Sequence, residues 1–122
     1  MTGEKKILIV DDEPEHRFIC ETLFNSRGYD VFTIPDCSRL VEVIEQYRPR
    51  LIIMDHHMPG MNGADAIRML KAHADHRSIP VIYFSAHNEL ADLAKEVGAD
   101  GYIRKPCELA DLTGVIERYF PS

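Results

Sequence analysis

Three aspartates end two short apolar runs. Asp11 and Asp12 follow Ile7-Leu8-Ile9-Val10, and Asp55 follows Leu51-Ile52-Ile53-Met54. An aliphatic run that stops on a carboxylate reads as a buried strand delivering the acid to a rim. Two such strands can gather three like charges, which repel at close range unless a cation or a proton relieves them. Far along the chain, Lys105 ends a third short run, with Pro106 behind it, and offers a fixed positive charge. Three acids and one ammonium suit magnesium and a phosphoryl group.

Elements must carry these groups to one place, and the pattern alternates throughout. Lys6–Val10 is an aliphatic strand. Pro14 to Arg27 reads as a helix, with Pro14 in the first turn, Gly28 at the stop, and Ile19, Cys20, Leu23 and Phe24 as its inner face. Val31–Ile34 is a less uniform run that suits an edge strand. Asp36 or Ser38 would cap a helix burying Leu40, Val43, Ile44 and Tyr47, and Pro49 breaks it. Leu51–Met54 is the third strand, followed by a loop from His56 to Gly63. A helix over about Ala64–Ala74 would bury Ile67 and Leu70. Pro80–Phe84 is the fourth strand, ending at Ser85. Leu90, Leu93, Ala94 and Val97 mark a fourth amphipathic helix stopped by Gly98. Gly101–Ile103 is a brief fifth strand. A last helix over about Glu108–Tyr119 would turn Leu109, Leu112, Ile116 and Phe120 inward, with Pro121 just beyond it.

Five strands each followed by a helix imply an α/β fold with a parallel sheet between two helical layers. Strands one, three and four are apolar on consecutive residues, as burial on both faces demands. Five units are too few for an eight-fold barrel, which leaves a doubly wound five-stranded sheet. In such sheets ligands bind beyond the carboxyl ends of the strands, where the strand order reverses. Asp11, Asp12, Asp55, Ser85 and Lys105 all sit at such ends. If the order is 2-1-3-4-5, strands one and three are neighbours and the three aspartates would share one pocket.

Length and composition set further bounds. A chain of 122 residues, 45% apolar, is expected to fold as one domain over 1–122 without staples. The formal net charge of −6 argues against direct nucleic-acid binding, which calls for a basic face. No stretch is long and apolar enough to span a membrane, and Met1 to Lys6 is too short and polar for a signal peptide, so cytoplasmic residence is expected. Cys20, Cys37 and Cys107 are widely spaced and read as reduced thiols with packing roles.

Each polar residue also has a bland reading. Asp12 could cap the helix at Pro14, Asp55 could brace the turn at Pro59-Gly60, Ser85 could cap a helix, and Lys105 could be solvated. Any one of these is the commoner case; all of them meeting at one rim is not.

The constellation resembles the receiver domain of bacterial response regulators over essentially the whole chain. The matching elements are Asp11-Asp12, Asp55 with Met58-Pro59-Gly60-Met61-Asn62-Gly63 after it, Ser85-Ala86, Gly98-Ala99-Asp100-Gly101-Tyr102, and Lys105-Pro106. The resemblance implies a flavodoxin-like (βα)5 fold and a phosphoacceptor switch of a two-component phosphorelay, which is not an enzyme beyond its own phosphorylation and dephosphorylation. Asp55 would take the phosphoryl group. Magnesium would be held by Asp12, Asp55 and the main-chain carbonyl of His57, with Asp11 orienting metal-bound water. Lys105 would meet a phosphoryl oxygen, and the Lys105–Pro106 peptide would be cis. Ser85, Ala86 and Tyr102 would relay the change to the surface of the fourth helix, fifth strand and fifth helix.

The implied donor is a histidine kinase or histidine phosphotransfer protein. The target would be a downstream protein, with the chain a monomer or weak dimer. Exposed His16 and Arg17 on the first helix would help dock the donor.

The histidines depart from the family pattern. Six occur, and His57 and His87 would border the path of the hydrolytic water and set how fast the acyl phosphate decays. A rival is a zinc or copper site using His56 or His57 with Asp55. Two further classes compete: a magnesium-dependent phosphohydrolase and a flavin carrier. The first lacks a DxD pattern at Asp55, where position 57 is histidine, and lacks a cap segment. The second needs a phosphate-cradling loop where Asp11-Asp12-Glu13-Pro14 would repel phosphate.

Overall fold

The computed structural model describes residues 5–105 and 108–120. They form β1 (Lys6–Val10), α1 (Pro14–Ser26), β2 (Asp30–Ile34), α2 (Leu40–Tyr47), β3 (Leu51–Asp55), α3 (Gly63–Ala72), β4 (Val81–Ser85), α4 (Leu90–Val97), β5 (Gly101–Arg104) and α5 (Leu109–Glu117). The sheet is parallel throughout in the order β2-β1-β3-β4-β5, the doubly wound sheet expected from the alternation in the flavodoxin-like order that the resemblance implies. The register pairs Val10 with Met54 and Asp55 with Phe84, so the strands that carry the acids end level.

Successive residues of β1 and β3 point to opposite faces, and both faces are covered. Ile7, Ile9, Leu51 and Ile53 pack with Cys20 and Phe24 of α1 and with Leu112 and Ile116 of α5. Leu8, Val10, Ile52 and Met54 pack with residues of α2, α3 and α4, among them Ile44, Ile67 and Leu90. The two-layer burial explains why those strands read as unbroken aliphatic runs. No helix among the described residues is long and apolar enough to cross a membrane.

Several expected faces differ from what forms. Ile19 and Leu109 were expected inward, but they are 45% and 51% exposed. Leu23, Tyr47, Leu93 and Phe120 are only half-buried. Neither Asp36 nor Ser38 caps α2; the Asp36 carboxylate instead accepts the Ser38 N–H at 2.9 Å, closing a local turn ahead of the helix. Helix α3 starts at Gly63, where the Asn62 side chain accepts the Asp65 N–H at 2.8 Å. Helix α4 stops at Gly98, whose φ of 88° ends it in the left-handed region. Cys20 and Cys37 are free thiols. Cys107 and Pro121 lie outside the described residues.

Candidate functional site

Strands β1 and β3 are neighbours, and their carboxyl ends bring the acids together. Oxygens of Asp11, Asp12 and Asp55 all lie within 4.8 Å of one another, and no other such group of three occurs among the described residues. Asp11 and Asp55 are almost wholly buried, at 1% and 2% exposure, while Asp12 faces solvent. A donor set made only of carboxylate oxygens fits a hard divalent cation such as magnesium. The soft-metal alternative fails here, because no histidine joins Asp55 in such a group and the His56 ring is bonded through Nδ1 to the Tyr83 hydroxyl.

Lys105 arrives from the end of β5, held there by its own N–H donating to the Ser85 carbonyl at 2.9 Å. Its ammonium pairs directly with Asp55 Oδ1 and lies 4.9 Å from the Phe84 ring centre. It is not the solvated lysine of the bland reading. Burial pushes the Asp55 carboxyl above the usual carboxylate range, and the charges of Asp11 and Asp12 add to this, with Lys105 opposing. Burial works against the Lys105 charge, yet its bond to Asp55 wins and leaves the ammonium above its ordinary value. The Lys105–Pro106 peptide, expected cis, lies outside the described residues.

Asp11 is enclosed by the start of α1. Its Oδ1 accepts the Glu13 N–H at 3.0 Å, its Oδ2 bonds His16 Nδ1, and its carbonyl accepts from Arg17 at 2.8 Å. Burial acts to raise the Asp11 carboxyl, but the hydrogen bonds from His16 and Glu13 outweigh it and hold it below the usual range. The bond to Asp11 lifts the His16 imidazole to about 10. His16 and Arg17, expected as exposed docking residues, are therefore half-buried and engaged at the rim. Asp12 does not cap α1 either: Glu13 holds that position, and its side chain makes no capping hydrogen bond.

The loop after β3 folds back on its own strand. Gly63 donates its N–H to the His56 carbonyl at 3.0 Å, and a Cβ at Gly63 would stand 2.3 Å from the Asp55 carbonyl oxygen. His57 is exposed in this loop, two residues past Asp55. At the end of β4 the buried Ser85 hydroxyl accepts the His87 N–H at 3.1 Å. The serine does not cap a helix, since Glu89 holds the N-cap of α4; its bond closes a local turn at the same rim as the acids. Ala86 and His87 are exposed. Tyr102 on β5 is 46% exposed.

Three supporting residues had no signal in sequence spacing. Arg104 donates to the carbonyls of His87 and Asn88, at 2.5 and 3.4 Å, and so ties the β4–α4 loop to β5. Tyr83 braces His56 from inside the core. His16 reaches Asp11 across a turn. A register argument from β4 to β5 would have placed Arg104 beside Ser85, its partner in the ladder.

Comparison with known proteins gives a consistent result. The family described as response regulator receiver domain matches residues 7–117. The chain is 33% identical over 113 residues to the DNA-binding response regulator MtrA of Mycolicibacterium smegmatis, covering 91% of this chain and 48% of that one. It is 30% identical over 119 residues to sporulation initiation phosphotransferase F of Bacillus subtilis, covering 96% and 94%. The chain thus spans about half the length of the first relative and nearly all of the second. Among solved structures, the receiver domain of a Pseudomonas aeruginosa sensor histidine kinase, with a magnesium ion coordinated in its active-site cleft, superposes with a TM-score of 0.84. That pair shares 28% identity over 96% of this chain and 98% of the other.

Proposed function

The chain belongs to the response regulator receiver domain family of two-component systems, and we propose that Asp55 is its phosphoacceptor. The observation that carries this reading is the meeting of Asp11, Asp12 and Asp55 within 4.8 Å, with Lys105 bonded to Asp55. A carboxylate oxygen of Asp55 attacks the phosphorus of a phosphohistidine donor. A phosphorus–oxygen bond forms, the phosphorus–nitrogen bond breaks, and the leaving imidazole takes a proton from solvent.

Asp12, Asp55 and the His57 carbonyl would hold magnesium, with Asp11 orienting a water on it; when bound, the ion supplies charge neutralisation to the phosphoryl oxygens. Lys105 moves from the Asp55 carboxylate to a phosphoryl oxygen, where its charge is worth most in a site this buried. The Ser85 hydroxyl accepts a hydrogen bond from His87 and so keeps its own proton to give. Ser85 and Ala86 close on the phosphoryl group, and Tyr102 turns inward behind them. The surface of α4, β5 and α5 then changes for a downstream protein, because the phosphoryl group makes contacts that only this arrangement offers. His57 and His87, both exposed at the mouth, modulate the lifetime of the acyl phosphate.

The donor is a histidine kinase or histidine phosphotransfer protein. Its docking face is the exposed apolar side of α1, Phe18 and Ile19, which adjoins Leu109 of α5 around a cleft that also reaches Lys105.

Incubation with acetyl phosphate tests the reading by intact mass. The protein is expected to gain a single phosphoryl group with magnesium present and none once the metal is chelated. Failure to gain it under both conditions would refute the assignment. Lys105→Ala is expected to keep magnesium binding but to take up phosphoryl groups about a hundredfold more slowly. It should also lose the shifts at Ser85 and Tyr102 amides seen by NMR on phosphorylation. Unchanged uptake and shifts would remove Lys105 from the mechanism.

A further inference from the structure

Strand β4 lies between β3 and β5, so the loop that leaves β4 has Asp55 on one side and the end of β5 on the other. The loop is fastened on the β5 side. Arg104 is the register partner of Ser85, and its guanidinium donates to the carbonyls of His87 and Asn88 at 2.5 and 3.4 Å. A guanidinium is always charged and carries only donors, so carbonyls are its natural partners here. Within the loop, the Ser85 hydroxyl accepts the His87 N–H at 3.1 Å, and His87 Nδ1 accepts the Glu89 N–H at 3.0 Å. The bond from the Lys105 N–H to the Ser85 carbonyl fixes the end of the strand, but the Arg104 side chain reaches the residues beyond it.

We propose that Arg104 is a positioning residue that latches the β4–α4 loop in its resting arrangement and must release it for Ser85 to close on a phosphoryl group. The proposal rests on the reading of Asp55 as phosphoacceptor. Closure carries Ser85 and Ala86 toward β3, and therefore away from the strand that bears Arg104. The latch thus opposes the movement that the phosphoryl group rewards. Tyr102 stands two residues before Arg104 and on the same face of β5, so release of the arm and the turn of the ring occur on one side of the strand. Arg104 is exposed, and two bonds at the surface bias a switch without locking it. A ligand that fits only the closed arrangement then binds more weakly, in proportion to the fraction of chains already closed.

The test is a titration of the full chain with beryllofluoride, an acyl-phosphate mimic, in the presence of magnesium, followed by the amide NMR signals of Ser85, His87 and Tyr102. Arg104→Ala is expected to bind beryllofluoride about fivefold more tightly than wild type. Before any is added, its three signals should already lie part of the way toward their bound positions. Arg104→Lys, which can meet one carbonyl but not two in a fork, should fall between the two proteins. A side chain that merely supported the fold would give the opposite sign, weaker binding on removal. Equal or weaker binding in Arg104→Ala overturns the latch and leaves the phosphoacceptor standing. A wild type that takes no phosphoryl group from acetyl phosphate overturns both.

Discussion

Asp55→Asn is expected to abolish phosphoryl uptake while leaving the protein folded. The amide keeps the size and most of the shape of the carboxylate but loses the anionic oxygen that attacks phosphorus. Two opposing effects act on stability. Removing one of three neighbouring acids relieves repulsion at a position 2% exposed, yet it also strips Lys105 of its direct partner. Lys105 is a quarter exposed and regains water, so the net change is expected to stay within about 1 kcal/mol. Magnesium binding should weaken, since the cluster loses a charged ligand. Intact mass after acetyl phosphate treatment decides it: wild type gains a phosphoryl group and the variant does not. A variant that gains one as fast as wild type would move the acceptor elsewhere.

Gly63→Ala should produce the largest loss of stability from the smallest change of side chain. Its Cβ would lie 2.3 Å from the Asp55 carbonyl oxygen, 2.9 Å from His56 Cα and 3.0 Å from the Asp55 carbonyl carbon. All three neighbours are backbone, so no rotamer change relieves the overlap. The loop after β3 must separate from the strand, at the expense of the Gly63 to His56 hydrogen bond. A cost of about 3 kcal/mol or more is expected, and a fall in melting temperature of roughly ten degrees. Magnesium affinity should fall with it, because the displaced peptides are those of Asp55 and its successors. Gly60→Ala is the control: its φ is 78° but nothing crowds its Cβ, so only backbone strain of about 1 kcal/mol is expected. Thermal melts of the two variants that coincide would mean the close approach at Gly63 carries no weight.

What could be read in the sequence was whatever depends on runs and strand ends. Ile7–Val10 and Leu51–Met54 announce buried parallel strands through consecutive aliphatics, and the acids after them follow by topology. The order of strands, which the alternation leaves open and the family resemblance supplies, then places Asp11, Asp12 and Asp55 together. What stayed hidden depends on the path of the chain between elements. His16 is five residues from Asp11, a spacing that says nothing until the β1–α1 turn is known. Ile19 and Leu109 satisfy helical periodicity, yet the cleft between α1 and α5 leaves both exposed. Gly63 looks like one more loop glycine, although its reason is a carbonyl eight residues earlier. His76 sits in a polar segment that suggests a surface turn, and only the packing of α2 beside it shows the ring to be buried.

Helix α1 grips one residue of the rim at three points: a main-chain N–H and an imidazole on the carboxylate of Asp11, and a guanidinium on its carbonyl. Phe18 and Ile19 follow directly on the two side chains that do the gripping. A protein that settled there would push on a lever whose short arm is an acid of the proposed reaction centre. If the proposed donor docks here, recognition and chemistry would be mechanically geared at this edge, and an ill-fitting visitor that tilts the helix would spoil the very group it came to use.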